Sequence, residues 1–269
     1  MPNHHTTFKA LHSGPTALIL PNAWDAASTV LLQLDGAAAI ATSSSAMSWA
    51  LGYADGAQLP RDELLGAIKR IMRVARVPVS IDMEDGYSDD PEQVAQLIAE
   101  VARLGVAGIN IEDGVGTVEA LVAKIEAIRR ALAGQPLFIN ARTDVYLKGL
   151  AASSGADGAI LMCVERLNSY QQAGANGAFV PGMTTVTDAA KLVPQIGMPL
   201  NLMSVPTLAP LAELAAAGVR RISAGGAVFQ TTYGYMRNRV KQFLEQGDNA
   251  GLFEHPLPYA FMNNAMKTN

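Results

Sequence analysis

Short apolar runs rich in β-branched residues alternate with longer segments of helical periodicity, and this repeat constrains the fold more than any other feature. Repeated units of this kind predict a parallel sheet whose strands are covered by helices. One helical segment, 91–104, carries an apolar stripe and follows Asp89 and Asp90, which can cap it, and another begins after Thr117. The predicted strands are 17–20, 37–42, 77–82, 108–112, 136–142, 177–180, 198–203 and 219–223.

Eight strands with interleaved helices predict an α/β fold of the (β/α)₈ or TIM barrel type. The alternative is a doubly wound open sheet, which usually carries a glycine-rich fingerprint after its first strand. Here that strand is followed by Pro21-Asn22-Ala23-Trp24-Asp25, and the fingerprint is missing from the whole sequence. Because no linker or low-complexity segment divides the chain, residues 1–269 are predicted to form a single domain. Residues 252–269 are predicted to be an irregular C-terminal tail.

Composition excludes several functional classes. The chain has 20 Lys and Arg against 24 Asp and Glu, and 49% of its residues are hydrophobic, which argues against a disordered chain or a basic nucleic-acid module. No charge-free apolar stretch is long enough to predict a membrane span, and no signal peptide is predicted. The single cysteine, Cys163, suits a reducing cytoplasm and lies in an apolar helical run, so we expect a buried core thiol.

The sequence also restricts the catalytic groups. Its four histidines stand at positions 4, 5, 12 and 255, so a site in the body of the chain must use carboxylates, Arg, Lys, Ser, Thr or Tyr hydroxyls and the backbone. No lysine closes a predicted strand, which argues against a Schiff-base mechanism in this barrel.

Acidic residues follow two neighbouring predicted strands, where a barrel of this type builds its active site. Asp82 and Glu84 are two residues apart and are expected to share a face, with Glu112 on the adjacent strand. Crowded carboxylates repel one another unless a cation or a proton compensates them. Oxygen ligands without His or Cys predict Mg²⁺, with Mn²⁺ as the alternative. For Asp85 and Asp113, a role in turns or helix caps is an equally good interpretation.

Two further groups at strand ends could bind an anion. Arg142 closes the fifth predicted strand, and its planar guanidinium suits a carboxylate or phosphate. The alternative for Arg142 is a structural ion pair with Asp144 or Glu112. Small residues from Ser43 onward follow the second strand and could offer backbone N–H groups, although serine-rich turns are common.

Together, several segments resemble the isocitrate lyase/phosphoenolpyruvate mutase superfamily, in order and with its spacing, from about residue 18 to residue 247. The resemblance implies a (β/α)₈ barrel with the C-terminal helix exchanged between subunits, a homodimer or homotetramer, and a Mg²⁺-bound 2-oxo carboxylate. The segments are Pro21-Asn22-Ala23-Trp24-Asp25-Ala26-Ala27-Ser28, Ser43-Ser44-Ser45, Leu51-Gly52-Tyr53-Ala54-Asp55, Asp82-Met83-Glu84-Asp85-Gly86-Tyr87, Ile111-Glu112-Asp113 and Asn140-Ala141-Arg142-Thr143-Asp144.

The resemblance also implies roles for individual residues. Asp82 would bind the metal directly, and Glu84 and Glu112 would hold metal-bound water. Arg142 would hold the substrate carboxylate. The resemblance implies catalytic roles for Asp55, Glu112 and Arg142, and substrate-binding roles for Trp24, Asp25, Ser43, Ser44 and Arg142.

Two differences from the superfamily's motifs restrict which of its reactions the sequence supports. Its isocitrate and 2-methylisocitrate lyases carry a Lys-Arg-Cys-Gly-His motif after the acid of the fourth strand, where this chain has Gly114-Val115-Gly116-Thr117-Val118-Glu119. Its mutases and phosphonopyruvate hydrolases carry a histidine near the end of strand five or six and a lysine on a gating loop, and this chain has neither.

These features predict a Mg²⁺-dependent carbon–carbon lyase that acts on a small 2-oxo carboxylate or dicarboxylate through an enolate, with oxaloacetate decarboxylation as the simplest form. Phosphoenolpyruvate mutase or phosphonopyruvate hydrolase chemistry on a P–C bond is the first alternative. A 2-oxo acid binding protein without efficient turnover is the second. Residues 252–266 are too apolar for a free tail, which also favours an oligomer.

Overall fold

The computed structural model describes residues 4–114 and 116–267, with residues 151–154 described by their backbone only. Within these residues, parallel strands alternate with helices along the chain. The strands are β1 Leu18–Leu20, β2 Asn22–Ala23, β3 Ile40–Thr42, β4 Val79–Asp82, β5 Gly108–Glu112, β6 Phe138–Arg142, β7 Gly177–Phe179, β8 Leu200–Met203 and β9 Val219–Ser223. The α-helices are α1 His4–Leu11, α2 Ala26–Leu34, α3 Ser44–Ala50, α4 Arg61–Val74, α5 Pro91–Arg103, α6 Val118–Leu132, α7 Leu150–Ala173, α8 Val186–Leu192, α9 Leu211–Ala216, α10 Ala227–Gln246 and α11 Tyr259–Ala265.

The sheet closes on itself through its first strand. Its order is β1-β9-β8-β7-β6-β5-β4-β3-β2, and every pair is parallel. β1 and β2, at the two ends of this order, are separated in the chain only by Pro21. The two short strands are therefore halves of one barrel strand, and the prediction of an α/β barrel with a parallel sheet is confirmed.

Each predicted strand segment contains an observed strand, and the differences lie mainly where strands begin. β4 begins directly after Pro78, β8 directly after Pro199, and β6 two residues after Pro136. Because proline has no N–H to donate to the sheet, strands predicted to include these prolines begin later. β5 and β9, which have no proline before them, match the predicted bounds.

The predicted helix caps are also present. The Asp90 side chain accepts the Glu92 N–H at the start of α5, and Thr117 Oγ1 accepts the Ala120 N–H at the start of α6. Cys163 is completely buried in α7, and burial raises the pKa of its thiol to about 12, as expected for an unreactive core thiol. No helix in the described ranges is long and apolar enough to cross a membrane.

The irregular tail predicted for 252–269 is wrong in one respect, because α11 lies within it. This helix begins after Pro258, whose fixed backbone angle suits the start of a helix. Its last residues, with Lys267, line a depression beside Val30 and Val74 of the barrel's outer helices. Residues 268–269 lie outside the described residues.

The lower end of the barrel is closed by α1. Phe8 is completely buried and packs edge-on against the ring of Phe138, with 5.5 Å between ring centroids. Gly108 of β5 faces Phe8, and a Cβ atom at this position would lie 2.8 Å from the Phe8 ring. The closed lower end leaves the opposite end, where the strands finish, as the open mouth of the barrel.

Candidate active site

A pocket of about 240 Å³ lies at the carboxyl ends of the strands. Most strands contribute a side chain to it, and the loops after β3 and β9 complete its wall. Its lining residues are Asn22, Ser43, Ser44, Ser45, Trp49, Asp55, Asp82, Asn110, Arg142, Phe179, Met203, Ser223, Gly225, Gly226 and Gln230.

Asp82, the last residue of β4, has one engaged and one unengaged carboxylate oxygen. Its Oδ2 accepts hydrogen bonds from the Ser44 N–H at 3.3 Å and from the Ser44 hydroxyl at 3.0 Å. Its Oδ1 is buried and accepts no hydrogen bond from any described residue. A buried anionic oxygen without a donor is energetically costly, so Asp82 Oδ1 is the strongest candidate in the pocket for contact with a cation.

Arg142, the last residue of β6, bridges two carboxylates. Its Nη1 lies 2.6 Å from Glu112 Oε2, while Nε and Nη2 donate to the two oxygens of Asp144 at 2.6 and 3.0 Å. Burial alone would lower the pKa of Arg142, but the attraction of Glu112 and Asp144 raises it above the ordinary value. The structural ion pairs weighed for this arginine therefore exist, and Arg142 also lines the pocket.

Glu112 is the most strongly perturbed acid of the site. Burial raises the pKa of Glu112 to about 8, against the attraction of Arg142, and repulsion from Asp82 and Asp144 adds to the rise. Glu112, Asp82 and Arg142 thus end adjacent strands, but only Asp82 and Arg142 line the pocket, and Glu112 reaches it through Arg142.

Glu84 does not share the orientation of Asp82, contrary to the predicted alternation. β4 ends at Asp82, and Glu84 has a left-handed backbone conformation with φ of +49°. Its buried carboxylate accepts the Tyr87 hydroxyl at 2.8 Å and the Ala57 N–H. Side-chain alternation holds only along a strand, so Glu84 is not among the residues that line the pocket, and its carboxylate holds the loop that carries Asp55. It stays close to the site, because burial and then repulsion from Asp82 and Asp55 raise the pKa of Glu84.

Asp55 lies at the mouth of the pocket, on the loop between α3 and α4. Burial raises the pKa of its carboxyl group, and repulsion from Asp82 adds to the rise. Asp55, Glu84 and Asp82 therefore influence one another, although their carboxylates have separate hydrogen-bond partners.

Two helices begin at the pocket. Ser43 caps α3 by accepting the Ala46 N–H, and its hydroxyl lies 3.0 Å from that of Ser45. α10 begins after Gly226 without a side-chain cap. A Cβ atom on Gly226 would lie 3.4 Å from Ser45 Oγ, so glycine allows the two helix starts to approach. Helix N-termini favour anions, because their first N–H groups lack partners within the helix.

The structure does not bring Trp24 and Asp25 into the pocket lining. Trp24 packs edge-on against Phe229 of α10, with 5.2 Å between ring centroids. Asp25 caps α2, where its carboxylate accepts the Ser28 N–H at 2.7 Å. Both residues make structural contacts and neither lines the pocket, so the roles that the resemblance implies for them stay predictions.

Asp85 and Asp113 also have structural contacts. Asp85 Oδ1 accepts the Tyr87 N–H at 3.0 Å within the turn after β4. Asp113 Oδ2 accepts from Arg166 at 2.6 Å and from the hydroxyls of Thr143 and Tyr170 at 2.7 and 2.9 Å. Neither residue lines the pocket.

The donor set fits a cation held by few direct protein ligands. Within 4–114 and 116–267, no three His, Cys, Asp or Glu side chains are grouped closely enough to hold a metal ion by themselves. Mg²⁺ usually keeps several water ligands and takes one or two carboxylates. One unengaged oxygen on Asp82, with Glu112 nearby, is compatible with that manner of binding.

Sequence reasoning missed several lining residues. Asn110 stands two residues before Glu112 and Ser223 ends β9, so the period of two along a strand could have identified both. Asn22 follows Pro21 and carries no comparable signal. Its amide donates to the Thr42 carbonyl at 2.7 Å and its Oδ1 accepts the Gly225 N–H at 2.9 Å.

Comparison with known proteins identifies the family. Residues 8–244 match the model of the phosphoenolpyruvate phosphomutase family. The chain belongs to the phosphoenolpyruvate mutase/isocitrate lyase superfamily. A solved structure from Burkholderia cenocepacia J2315, provisionally named a phosphonomutase, is 36% identical, covers 90% of this chain and 100% of its own, and has a TM-score of 0.85.

The alignments with curated relatives also cover most of this chain. An uncharacterized protein of Mycobacterium tuberculosis is 34% identical over 229 residues, which is 83% of either chain. An oxaloacetate decarboxylase of Pseudomonas fluorescens (strain SBW25) is 28% identical over 277 aligned positions, covering 96% of this chain and 92% of its own. The superfamily contains lyases, mutases and hydrolases, so membership leaves the reaction to be argued from the site.

Proposed function

We propose that the protein is a Mg²⁺-dependent carbon–carbon lyase of small 2-oxo dicarboxylates, with oxaloacetate decarboxylation as the simplest form. The observation that carries the proposal is the combination, in one pocket of about 240 Å³, of an unengaged Asp82 oxygen with Arg142 and two helix N-termini. The carboxylate can bind a cation, and the other groups can bind an anion. A 2-oxo acid chelates a metal ion and carries negative charge, so it can use both kinds of group.

Asp82 would bind Mg²⁺ directly, and Glu84 and Glu112 would contact it through water; Mn²⁺ is the alternative ion. When bound, the cation would polarise the 2-oxo group and stabilise the negative charge that cleavage creates. Asp82 is held for this task by the Ser44 hydroxyl and N–H. Glu112 is held by Arg142, at 2.6 Å.

The remaining polar groups would orient the substrate. Arg142 directs three of its five N–H groups to Glu112 and Asp144, which leaves two for a substrate carboxylate. For Ser43 and Ser44 to receive another anionic oxygen, their N–H groups would have to leave the Ala23 carbonyl and Asp82, to which they donate. Asp55, at the mouth, would lie beside the reacting end of the substrate. We assign no contact to Trp24 or Asp25, because neither lines the pocket.

Decarboxylation suits the catalytic groups that this chain has. The bond between C3 and the departing carboxylate breaks, its electron pair stays on the three-carbon fragment, and CO₂ leaves without needing a proton. A methylisocitrate-type cleavage would also need a proton donor, and the cysteine motif that supplies one in the superfamily's lyases is missing. The Pseudomonas fluorescens relative named oxaloacetate decarboxylase supports this choice of substrate.

A turnover assay tests the proposal against its alternatives. Purified protein with Mg²⁺ would be given oxaloacetate, phosphonopyruvate and 2-methylisocitrate separately, with the spontaneous decay of oxaloacetate in Mg²⁺ subtracted. Release of CO₂ and pyruvate from oxaloacetate is the expected result. Turnover of phosphonopyruvate alone would favour P–C chemistry, and tight binding of oxalate without any turnover would favour a binding protein.

We also propose a homo-oligomer, a dimer or a tetramer, in which α10 is exchanged between subunits. Ile19, on the outer face of β1, is 53% exposed beside a groove of about 660 Å³, although helices normally cover the outer strands of such a barrel. α10 buries only Phe229, and its exposed apolar side chains include Tyr233, Met236 and Leu244. Light scattering at micromolar concentration should give at least twice the mass of one chain, and a monomer would contradict the exchange.

A further inference from the structure

One layer below the pocket, the inside of the barrel is polar, whereas barrels of this type usually fill this space with Val, Ile and Leu. The side chains of this layer are less than 5% exposed and come from five different strands. We call it the inner polar layer. Its residues are Ser80, Asn110, Asn140, Asn201 and Arg221.

Arg221 is the charged member of the inner polar layer. It lies on β9 two residues before the pocket residue Ser223, so both side chains are on the inner face. Arg221 is completely buried, and its Nη2 donates to Asn110 Oδ1 at 3.1 Å. Its Nε and Nη1 make no hydrogen bond with a described protein atom.

Arg221 has no direct ion-pair partner among residues 4–114 and 116–267 within 4 Å. Burial lowers the pKa of its guanidinium to about 9, against the attraction of Asp82, so the group stays charged at neutral pH. On its other side lies the Phe8 ring, 5.8 Å from the guanidinium carbon. His12, the nearby imidazole, has a pKa lowered to about 4 by burial and by Arg221, so it is neutral.

Asn110 connects Arg221 to the pocket. Its Oδ1 accepts hydrogen bonds from Arg221 and, at 2.9 Å, from the Asn140 amide, which fixes the orientation of its side chain. Asn110 itself lines the pocket, so the buried positive charge lies one hydrogen-bonded residue from the floor. Leaving an arginine buried without a carboxylate costs free energy, which an opposing charge above it would offset.

We propose that Arg221 is a positioning residue, an internal counter-charge that makes the pocket favour a cation together with an anionic substrate over a cation alone. The inference rests on the proposed function, because it assumes that Mg²⁺ and a 2-oxo acid share this pocket. A fixed positive charge below the acids weakens the binding of Mg²⁺ alone. The same charge strengthens the binding of a dianion that enters afterwards.

The Mg²⁺ affinity and the dianion affinity should change in opposite directions, which distinguishes this role from a purely structural one. If Arg221 only filled space, its removal would loosen the pocket and weaken both ligands. If it acts through its charge, its removal strengthens Mg²⁺ binding and weakens dianion binding. Through an effective dielectric constant of about 20, one charge about 10 Å away changes each affinity by at least about tenfold.

Calorimetric titration of the full-length protein tests this, first with Mg²⁺ alone and then with oxalate at saturating Mg²⁺. Arg221→Met and Arg221→Gln remove the charge, and the Gln variant keeps a hydrogen-bonding group in case the Met variant does not fold. For both variants we expect Mg²⁺ to bind about tenfold more tightly and oxalate to bind about tenfold more weakly than in the parent. Arg221→Lys keeps the charge, and we expect both affinities within about threefold of the parent.

Arg220→Met is the matched control. Arg220 is the neighbouring residue on β9, and its guanidinium donates to the carbonyls of Ala215 and Val219 on the outside of the barrel. We expect both affinities within about twofold of the parent, since this charge lies on the far side of the sheet. An equal change in the Arg220 and Arg221 variants would overturn the proposal.

Loss of both affinities in the folded neutral variants, or no change in either, would also overturn the role of Arg221 while leaving the proposed function standing. A parent protein that binds neither Mg²⁺ nor oxalate would overturn the proposed function, and this inference with it. Thermal unfolding of each variant identifies those that are folded at the temperature of the titration.

Discussion

Glu112 and Asp113 are consecutive residues, and each has an arginine nitrogen 2.6 Å from a carboxylate oxygen. They nevertheless have opposite surroundings. Asp113 turns toward the helices, where Arg166, Thr143, Tyr170 and the Asp144 N–H all donate to it. Glu112 contacts Arg142, which it shares with Asp144, and burial together with three other carboxylates raises its pKa.

The difference shows how to distinguish an acid that stabilises the fold from an acid that can act in the active site. An ion pair alone does not distinguish them, since both acids have one. What distinguishes them is whether the protein supplies enough donors for the charge. The Asp113 carboxylate has enough hydrogen-bond donors, and those from α7 hold this helix against the strand ends. The Glu112 carboxylate is buried with too few donors, so its protonation can change when a ligand binds.

The largest effect that tests this comparison is expected for Asp113→Ala. The change leaves the Arg166 charge and two buried hydroxyl groups without their acceptor, so the free energy of unfolding should fall by about 3–5 kcal/mol. Denaturant unfolding measures it. Mg²⁺ and oxalate affinities of the folded protein should stay within about threefold of the parent. A variant as stable as the parent would show that Asp113 is not the structural acid described here.

The next effect concerns metal binding at the strand ends. Asp82→Ala removes the carboxylate with the unengaged oxygen, and Mg²⁺ affinity should fall about hundredfold or more, roughly 3 kcal/mol. Asp85→Ala is the control, because Asp85 lies in the same turn but contacts the Tyr87 N–H. Calorimetry should find its Mg²⁺ affinity within about threefold of the parent. Equal Mg²⁺ affinities in Asp82→Ala and the parent would make the assignment of Asp82 wrong.

The smallest effect is the pH dependence of stability that Glu112 contributes. Its pKa is raised to about 8 in the folded protein from 4.5, so the folded state holds a proton that the unfolded state has lost. Its contribution to stability is therefore greatest below the unfolded pKa and is lost as the pH rises toward 8.

Glu112→Gln removes this loss, while Arg142 keeps its two contacts with Asp144. Relative to the parent, the variant's free energy of unfolding should rise by about 2 kcal/mol between about pH 6 and about pH 8. Parallel denaturation curves across this range measure the change, and a constant difference between the two proteins would contradict the raised pKa.

Period-two alternation and strand ends made much of the fold predictable. These local signals found the eight barrel strand positions and brought Asp82, Glu112 and Arg142 to one rim. These signals give no side-chain orientation beyond the last residue of a strand. Glu84 lies two residues past the end of β4 in a left-handed conformation, so its orientation could not follow from the pattern.

Other features depend on partners that are distant in the sequence. Arg166 and Tyr170 reach Asp113 from 53 and 57 residues further along the chain. Asp25 is a different case, because its helix-cap contact is with Ser28, only three residues later, and the local sequence could have indicated it. Nothing in the order of Arg220 and Arg221 says which of them enters the barrel.

Pro21, which divides the first barrel strand, affects how the pocket comes into being. β1 pairs with β9 and β2 pairs with β3, so Pro21 divides the first barrel strand between its two neighbours. Asn22 links the two sides, through Thr42 on one side and Gly225, 203 residues away in sequence, on the other. Bringing residues so far apart in sequence together costs chain entropy. The same contacts close the barrel and complete the pocket, so a chain whose barrel is open lacks part of the site with which to capture substrate.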